Sequence, residues 1–181
     1  MSVFFTSDLH LGHKLAANIR GFSGIDEHDE VILTNLEENL KKKDKLFILG
    51  DVCFSTPQLK ELMRRIPCTI VDMVIGNHDM LPCRRYLEAG INNIIGMTKY
   101  KKKFWLTHAP IHPQELMGCV NIHGHIHDKG ITKPLGSRDY YNVNVEFNNF
   151  QPVPFDYIRE VIDSVVLKEA VSRTFRRAMN E

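Results

Sequence analysis

The stretch VNIHGHIHD, residues 120–128, sets His123, His125 and His127 on alternate positions behind an apolar lead-in. Three imidazoles on one side of an extended segment suit metal ligation, because imidazole is the commonest metal-binding side chain. A metal site needs further walls, and other parts of the chain offer them. Asp8 and His10 follow the run VFFTS. Asp51 follows KLFILG, the trio Asn77, His78 and Asp79 follows TIVDMVI and a glycine, and His108 follows KFWLT. Each apolar run stops at a group able to hold a cation.

Those runs are short, β-branched or aromatic, and bounded by glycine or polar residues, so they are predicted strands at 3–6, 45–49, 69–75, 103–107 and 120–122. Residues 94–100 are a further expected strand, hairpinned through Lys101 to Lys103, and the alternation of YYNVNVEF predicts another over 140–147. Helices are expected between them. Residues 26–43 carry Ile32, Leu36 and Leu40 on one face, with acids early and lysines late, as the helix dipole favours. Residues 56–66 open on Thr56 as the capping residue with Pro57 at the first helical position. Residues 82–90 close on a glycine, and 154–179 read as a long amphipathic C-terminal helix. Strands alternating with helices predict a layered α/β fold, and 181 residues fit one domain spanning 1–181. In open α/β folds ligands gather at the carboxyl ends of the strands. The five polar stops are therefore expected on one rim.

Composition narrows the function classes. Hydrophobic residues make up 43% and charged residues 25%, with a net charge of +1, so no global field draws the molecule to an anionic polymer or membrane. That balance counts against long nucleic acid as a partner. The four cysteines, Cys53, Cys68, Cys83 and Cys119, form no CxxC pair, which removes the zinc-ribbon pattern. The opening residues meet a charge at Asp8 before any long apolar core develops, and no run approaches the roughly 20 apolar residues of a membrane span. A reduced, cytoplasmic setting without a membrane partner is expected.

The motifs SDLH (7–10), GD (50–51), GNHD (76–79), TH (107–108) and GHIH (124–127) resemble, in order and strand context over residues 3–127, those of the calcineurin-like metallophosphoesterases. The resemblance implies a four-layer α/β/β/α sandwich closed by a strand at YNVNVE. It implies two divalent ions, one held by Asp8, His10 and His127, the other by Asn77, His108 and His125, with Asp51 and a water between them. His78 would stay free of metal and face the substrate. Asp79 would orient His78 or its loop, or simply form the turn. His123 has no place in this scheme and is expected to be structural. Asn142 is expected to support a ligand by hydrogen bonding.

The implied donors are imidazole nitrogens, carboxylates and one amide oxygen, without thiolate, which favours manganese, iron, cobalt, nickel or zinc, manganese foremost. Such a pair leaves the centre weakly positive, suited to a phosphate anion and to hydrolysis by metal-bound water. The chain departs from the GDxVDRG pattern of the superfamily's protein phosphatases: its GDVCFS (50–55) lacks the arginine and second aspartate. It also keeps His78 where lipid A precursor hydrolases carry arginine and one bacterial phosphodiesterase group carries cysteine. It thus looks like a small, capless bacterial or phage-type phosphoesterase. A phosphodiesterase acting on nucleotide-type or cyclic nucleotide substrates is expected, with a phosphomonoesterase as the alternative. A metal-binding scaffold without turnover is the alternative of another class. His13, Lys14 and Arg20 follow the first motif and are candidates for a second phosphate or a nucleotide, or for plain surface solvation.

Overall fold

The computed structural model describes residues 1–127 and 138–178, with side chains through Val166. Two sheets pack face to face. The first runs β4-β3-β2-β1-β9, built from β1 (Val3–Thr6), β2 (Lys45–Leu49), β3 (Ile70–Val74), β4 (Asn93–Ile95) and β9 (Val153–Pro154). Strands β1 to β4 are mutually parallel, and β9 runs antiparallel to β1. The second sheet runs β5-β6-β7-β8, from β5 (Thr98–Tyr100), β6 (Phe104–Leu106), β7 (Val120–His123) and β8 (Tyr140–Asn142).

The period of two in each strand divides the core. Leu46 and Ile48 point outward to helices α2 (Ile25–Asn39), α3 (Thr56–Arg65) and α4 (Cys83–Ala89), meeting Ile32, Leu36, Leu59, Leu62 and Tyr86. Phe47 and Leu49 point inward to the second sheet, meeting Leu106, Ile122 and Tyr141. Helix α5 (Phe155–Ala178) joins this inner core through Phe155, Ile158 and Ile162, and the Phe155 ring lies 5.0 Å from those of Tyr100 and Phe104. Its expected final residue, 179, lies outside the described residues. No helix among the described residues is long and apolar enough to cross a membrane.

Four expectations shift. The expected strand 94–100 is two strands. Its first part pairs with β3 and its second with β6, so Gly96 and Met97 carry the chain from one sheet to the other, while the hairpin through Lys101–Lys103 forms. The expected strand 140–147 stops at Asn142, because the Asn144 side chain accepts the N–H of Glu146 at 2.9 Å and turns Val145–Phe147 into a 3-10 helix. Helix α2 ends at Asn39 instead of 43, because Leu40 turns extended and is buried. Ser55, not Thr56, is the capping position of α3. Among the described residues, three short elements escaped the sequence reading as definite elements: β9, helix α1 (Lys14–Ile19) and a 3-10 helix at Pro113–Glu115.

Candidate metal centre

The parallel strands β1, β2 and β3 release their chain ends at one edge of the first sheet, and β6 and β7 do so in the second. The segments that follow are knitted together by backbone. Asp8 N–H donates to Gly50 carbonyl at 3.0 Å, and His10 N–H to the Asp51 carbonyl at 3.0 Å. Asp8, His10, Asp51 and His125 all adopt positive φ, at 58°, 49°, 56° and 70°. Non-glycine residues in that region cost on the order of 1–3 kcal/mol each and cluster at functional sites. The strain turns each side chain off its strand direction and into the rim. Gly50 (φ 87°) lets these loops meet, since a Cβ there would sit 2.7 Å from the Gly76 Cα. Gly124 likewise leaves room for the Asp8 carboxylate, which a Cβ would overlap.

Two donor clusters result. In one, His10 Nε2 lies 4.0 Å and His127 Nε2 3.4 Å from Asp8 Oδ1. In the other, His108 Nε2 and His125 Nδ1 lie 2.9 and 3.0 Å from Asn77 Oδ1 and 3.2 Å from each other. Asp51 Oδ2 stands between them, 3.6 Å from His10 Nε2 and 3.4 Å from His108 Nε2. His108 Nδ1 donates to the Leu49 carbonyl at 2.8 Å, which turns its Nε2 lone pair inward. An amide oxygen and two ring nitrogens facing one another at this range are a poor arrangement for hydrogen bonding and a good one for a shared cation. Among the described residues, Asp8 and Asp51, 0% and 2% exposed, meet only histidines as cationic side-chain partners. Buried carboxylates without a fixed counter-charge demand one. The two acid-bearing groups Asp8, His10, His127 and Asp8, Asp51, His108 each bring their ligand atoms within 4.8 Å, so the residues present fit a pair of metal ions.

A second ring of contacts fixes these side chains. Ser7 Oγ donates to Asp8 Oδ2 at 2.6 Å, and the His125 N–H donates to the same oxygen at 2.9 Å. Asp79 accepts the N–H groups of Asp51, Val52 and Gly76 at 2.8, 2.9 and 2.7 Å. It therefore ties the loop after β2 to the loop after β3, and its oxygens are spent on backbone instead of the His78 ring. Burial pushes the Asp79 carboxyl above the usual range. Asn142 supports the ligand segment through the backbone, donating to the Ile126 carbonyl at 2.9 Å. His123 stays outside both clusters, buried, with Nδ1 on the Gly124 carbonyl at 2.8 Å.

Glu146 escaped the sequence reading. His127 Nδ1 donates to its Oε1 at 2.7 Å, leaving Nε2 as the atom aimed at Asp8. Arg20 Nε donates to the same oxygen at 2.7 Å, and the guanidinium also reaches the Asp8 and Leu9 carbonyls at 2.7 and 3.2 Å. Although burial opposes its charge, hydrogen bonds from His127 and Arg20 hold Glu146 down to about 2. Hydrogen bonds to Asp8 and Glu146 push His127 up to about 9. Burial pulls His10 down to about 4. The one legible signal for Glu146 was an acid inside an otherwise half-apolar run.

Of the weaker candidates, the expectation of Arg20 as a free phosphate ligand is corrected: its side chain is 2% exposed and its donors are engaged. Lys14 lies with Asn18 in a separate depression against the start of α2. His13 borders the cleft shared by His10, His78 and His127. His78 is exposed; its backbone N–H donates to Asp51 Oδ1 at 2.8 Å, and its ring lies 5.4 Å from that of His10.

Residues 1–171 match the family model for calcineurin-like phosphoesterases. The chain is similar to an uncharacterized protein of Methanocaldococcus jannaschii, 31% identical over 89% of this chain and 91% of that one. It is also similar to the gene 66 protein of Mycobacterium phage D29, 24% identical over 91% and 97%. Among solved structures, an Aquifex aeolicus protein of unknown function shares 27% identity at a TM-score of 0.69, over 89% of this chain and 99% of that one. The Pseudomonas putida nuclease MPE shares the fold at 20% identity and a TM-score of 0.50, over 69% and 61%.

Proposed function

From the premise that this chain belongs to the calcineurin-like phosphoesterase family, we propose that it hydrolyses phosphodiesters of nucleotide type at a pair of divalent cations, manganese foremost. The observation that supports it best is the position of Asp51 Oδ2 within 3.4–3.6 Å of a histidine from each cluster. One carboxylate so placed can serve two ions at once. Asp8, His10 and His127 would hold one, and Asn77, His108 and His125 the other. When bound, such a pair supplies Lewis-acid polarisation of the phosphoryl oxygens and an activated water at neutral pH.

The remaining work falls to the chain's own side chains. The strained backbone at Asp8, His10, Asp51 and His125 holds their donor atoms in place before substrate arrives. Asp79 keeps the loops carrying Asp51 and His78 in register. His78 would give a proton to the leaving oxygen, a role supported by its exposure beside His10 and outside both clusters. Its retention favours esters with poor leaving groups, and no arginine follows Asp51 to grip a monoester. Val52 is buried and Phe54 lies against His13 at the positions that follow.

The test is turnover of manganese-reconstituted protein on matched chromogenic mono- and diesters and on 2′,3′- and 3′,5′-cyclic nucleotides. The diester is expected to show the higher kcat/KM. A faster monoester would reverse the substrate class while leaving the metal centre standing.

A further inference from the structure

Helix α1 is built inside out over the metal centre. It buries Ala16 and Ala17 and turns Leu15 and Ile19 outward, 60% and 75% exposed. A lone exposed aliphatic residue is ordinary. Here two stand one helical turn apart and share a cleft of about 260 Å³ with His10, His78 and His127. A surface helix commonly does the opposite, placing its large apolar residues inward.

His13 borders the same cleft and is stacked on Phe54, with ring centroids 4.4 Å apart and planes 13° from parallel. That contact fixes the imidazole plane. No lysine or arginine is among the described residues that line the cleft. Glu146 at its base is already taken by Arg20 and His127. Among the described residues the cleft therefore offers a second phosphate no lysine or arginine, and offers an apolar group two aliphatic side chains and a ring. Its volume falls just below the roughly 300 Å³ at which pockets for drug-sized molecules begin, room for about one nucleoside-sized group.

We propose that Leu15, Ile19 and His13 form a subsite that receives a flat apolar substituent of the phosphodiester, a nucleobase, beside the metal centre. This rests on the diester-hydrolase reading above. The substrate is then a nucleoside ester with its base against α1.

The test compares three diesters that share p-nitrophenolate as leaving group: thymidine 5′-, methyl and hexyl p-nitrophenyl phosphate. Manganese-loaded wild-type protein is expected to favour the thymidine ester over the methyl ester by about tenfold or more in kcat/KM, the scale of burying part of one apolar side chain. The double variant Leu15→Ser, Ile19→Ser is expected to bring that ratio to within about twofold on the same scale, with metal content unchanged. Met117→Ser, at a residue 81% exposed in a different loop, is expected to leave the ratio alone. A hexyl ester faster than the thymidine ester would overturn the choice of a flat ring. A ratio unchanged by the double variant would overturn the subsite. Methyl NMR provides a readout without turnover: adenosine 5′-monophosphate is expected to shift the Leu15 and Ile19 methyl signals, and methyl phosphate is not. Absent or equal shifts count against the subsite. Failure to hydrolyse any of the three esters would instead remove the hydrolase reading beneath it, so the two failures are distinguishable.

Discussion

His127 is held from both sides: Nδ1 lies 2.7 Å from Glu146 Oε1 and Nε2 lies 3.4 Å from Asp8 Oδ1. A carboxylate behind a histidine fixes the tautomer and the ring plane, and raises the basicity of the nitrogen in front. Glu146→Gln is therefore expected to weaken divalent-ion binding about 10–100-fold at the Asp8 cluster and to spare the Asn77 cluster. Titration calorimetry with manganese would resolve two unequal classes of site. Equal weakening of both would show that Glu146 acts on the whole rim instead of on His127.

Asp51→Asn should behave differently. Its Oδ2 faces a histidine of each cluster, so loss of the charge is expected to lower occupancy at both. Elemental analysis finding two tightly bound ions per chain in this variant would remove Asp51 from the shared position.

His78→Ala separates binding from chemistry. All seven proposed ligands remain, so metal content is expected to hold. Turnover is expected to fall by roughly 10²–10⁴ on an ester with a poor leaving group, and much less on a nitrophenyl ester, which needs no proton. Depleted metal, or equal losses on both esters, would falsify the general-acid role.

The cysteines test the packing independently of any metal. Burial pushes the Cys53 and Cys68 thiols up to about 12 and about 11, while Cys83 lies exposed at the start of α4. The thiolate is the reactive form. Under native conditions near pH 8, a thiol reagent is expected to label Cys83 promptly and to reach Cys53 and Cys68 only on unfolding. Prompt labelling of Cys53 would mean that the loop after Asp51 opens, since Cys53 is 1% exposed.

The strand ends were legible because each apolar run halts abruptly at a polar group, and parallel pairing then gathers those halts on one edge. The supports were not. Arg20 and Glu146 lie 126 positions apart, and nothing local marks a pair that only the closed fold brings together. For Asp79 the sequence leaves its role open between orienting His78, orienting its loop and forming the turn. Its three backbone partners lie on the loops after β2 and β3, two of them 27 and 28 residues away. The break in 94–100 was hidden for a related reason: both halves favour extended backbone, and only the gap between two sheets requires the bend at Gly96 and Met97.

Asp8, His10, Asp51 and Asn77 follow strands of the first sheet, whereas His108, His125 and His127 follow strands of the second. Neither sheet carries a complete donor set. A cation held at this rim would rivet two layers whose other ties are the apolar core and hydrogen bonds such as those from His108 to Leu49 and from His125 to Asp8. Occupancy would then gauge the alignment of the whole sandwich: a core substitution far from the rim that shifts one sheet against the other would be felt first as a leak of metal, before any strand is lost.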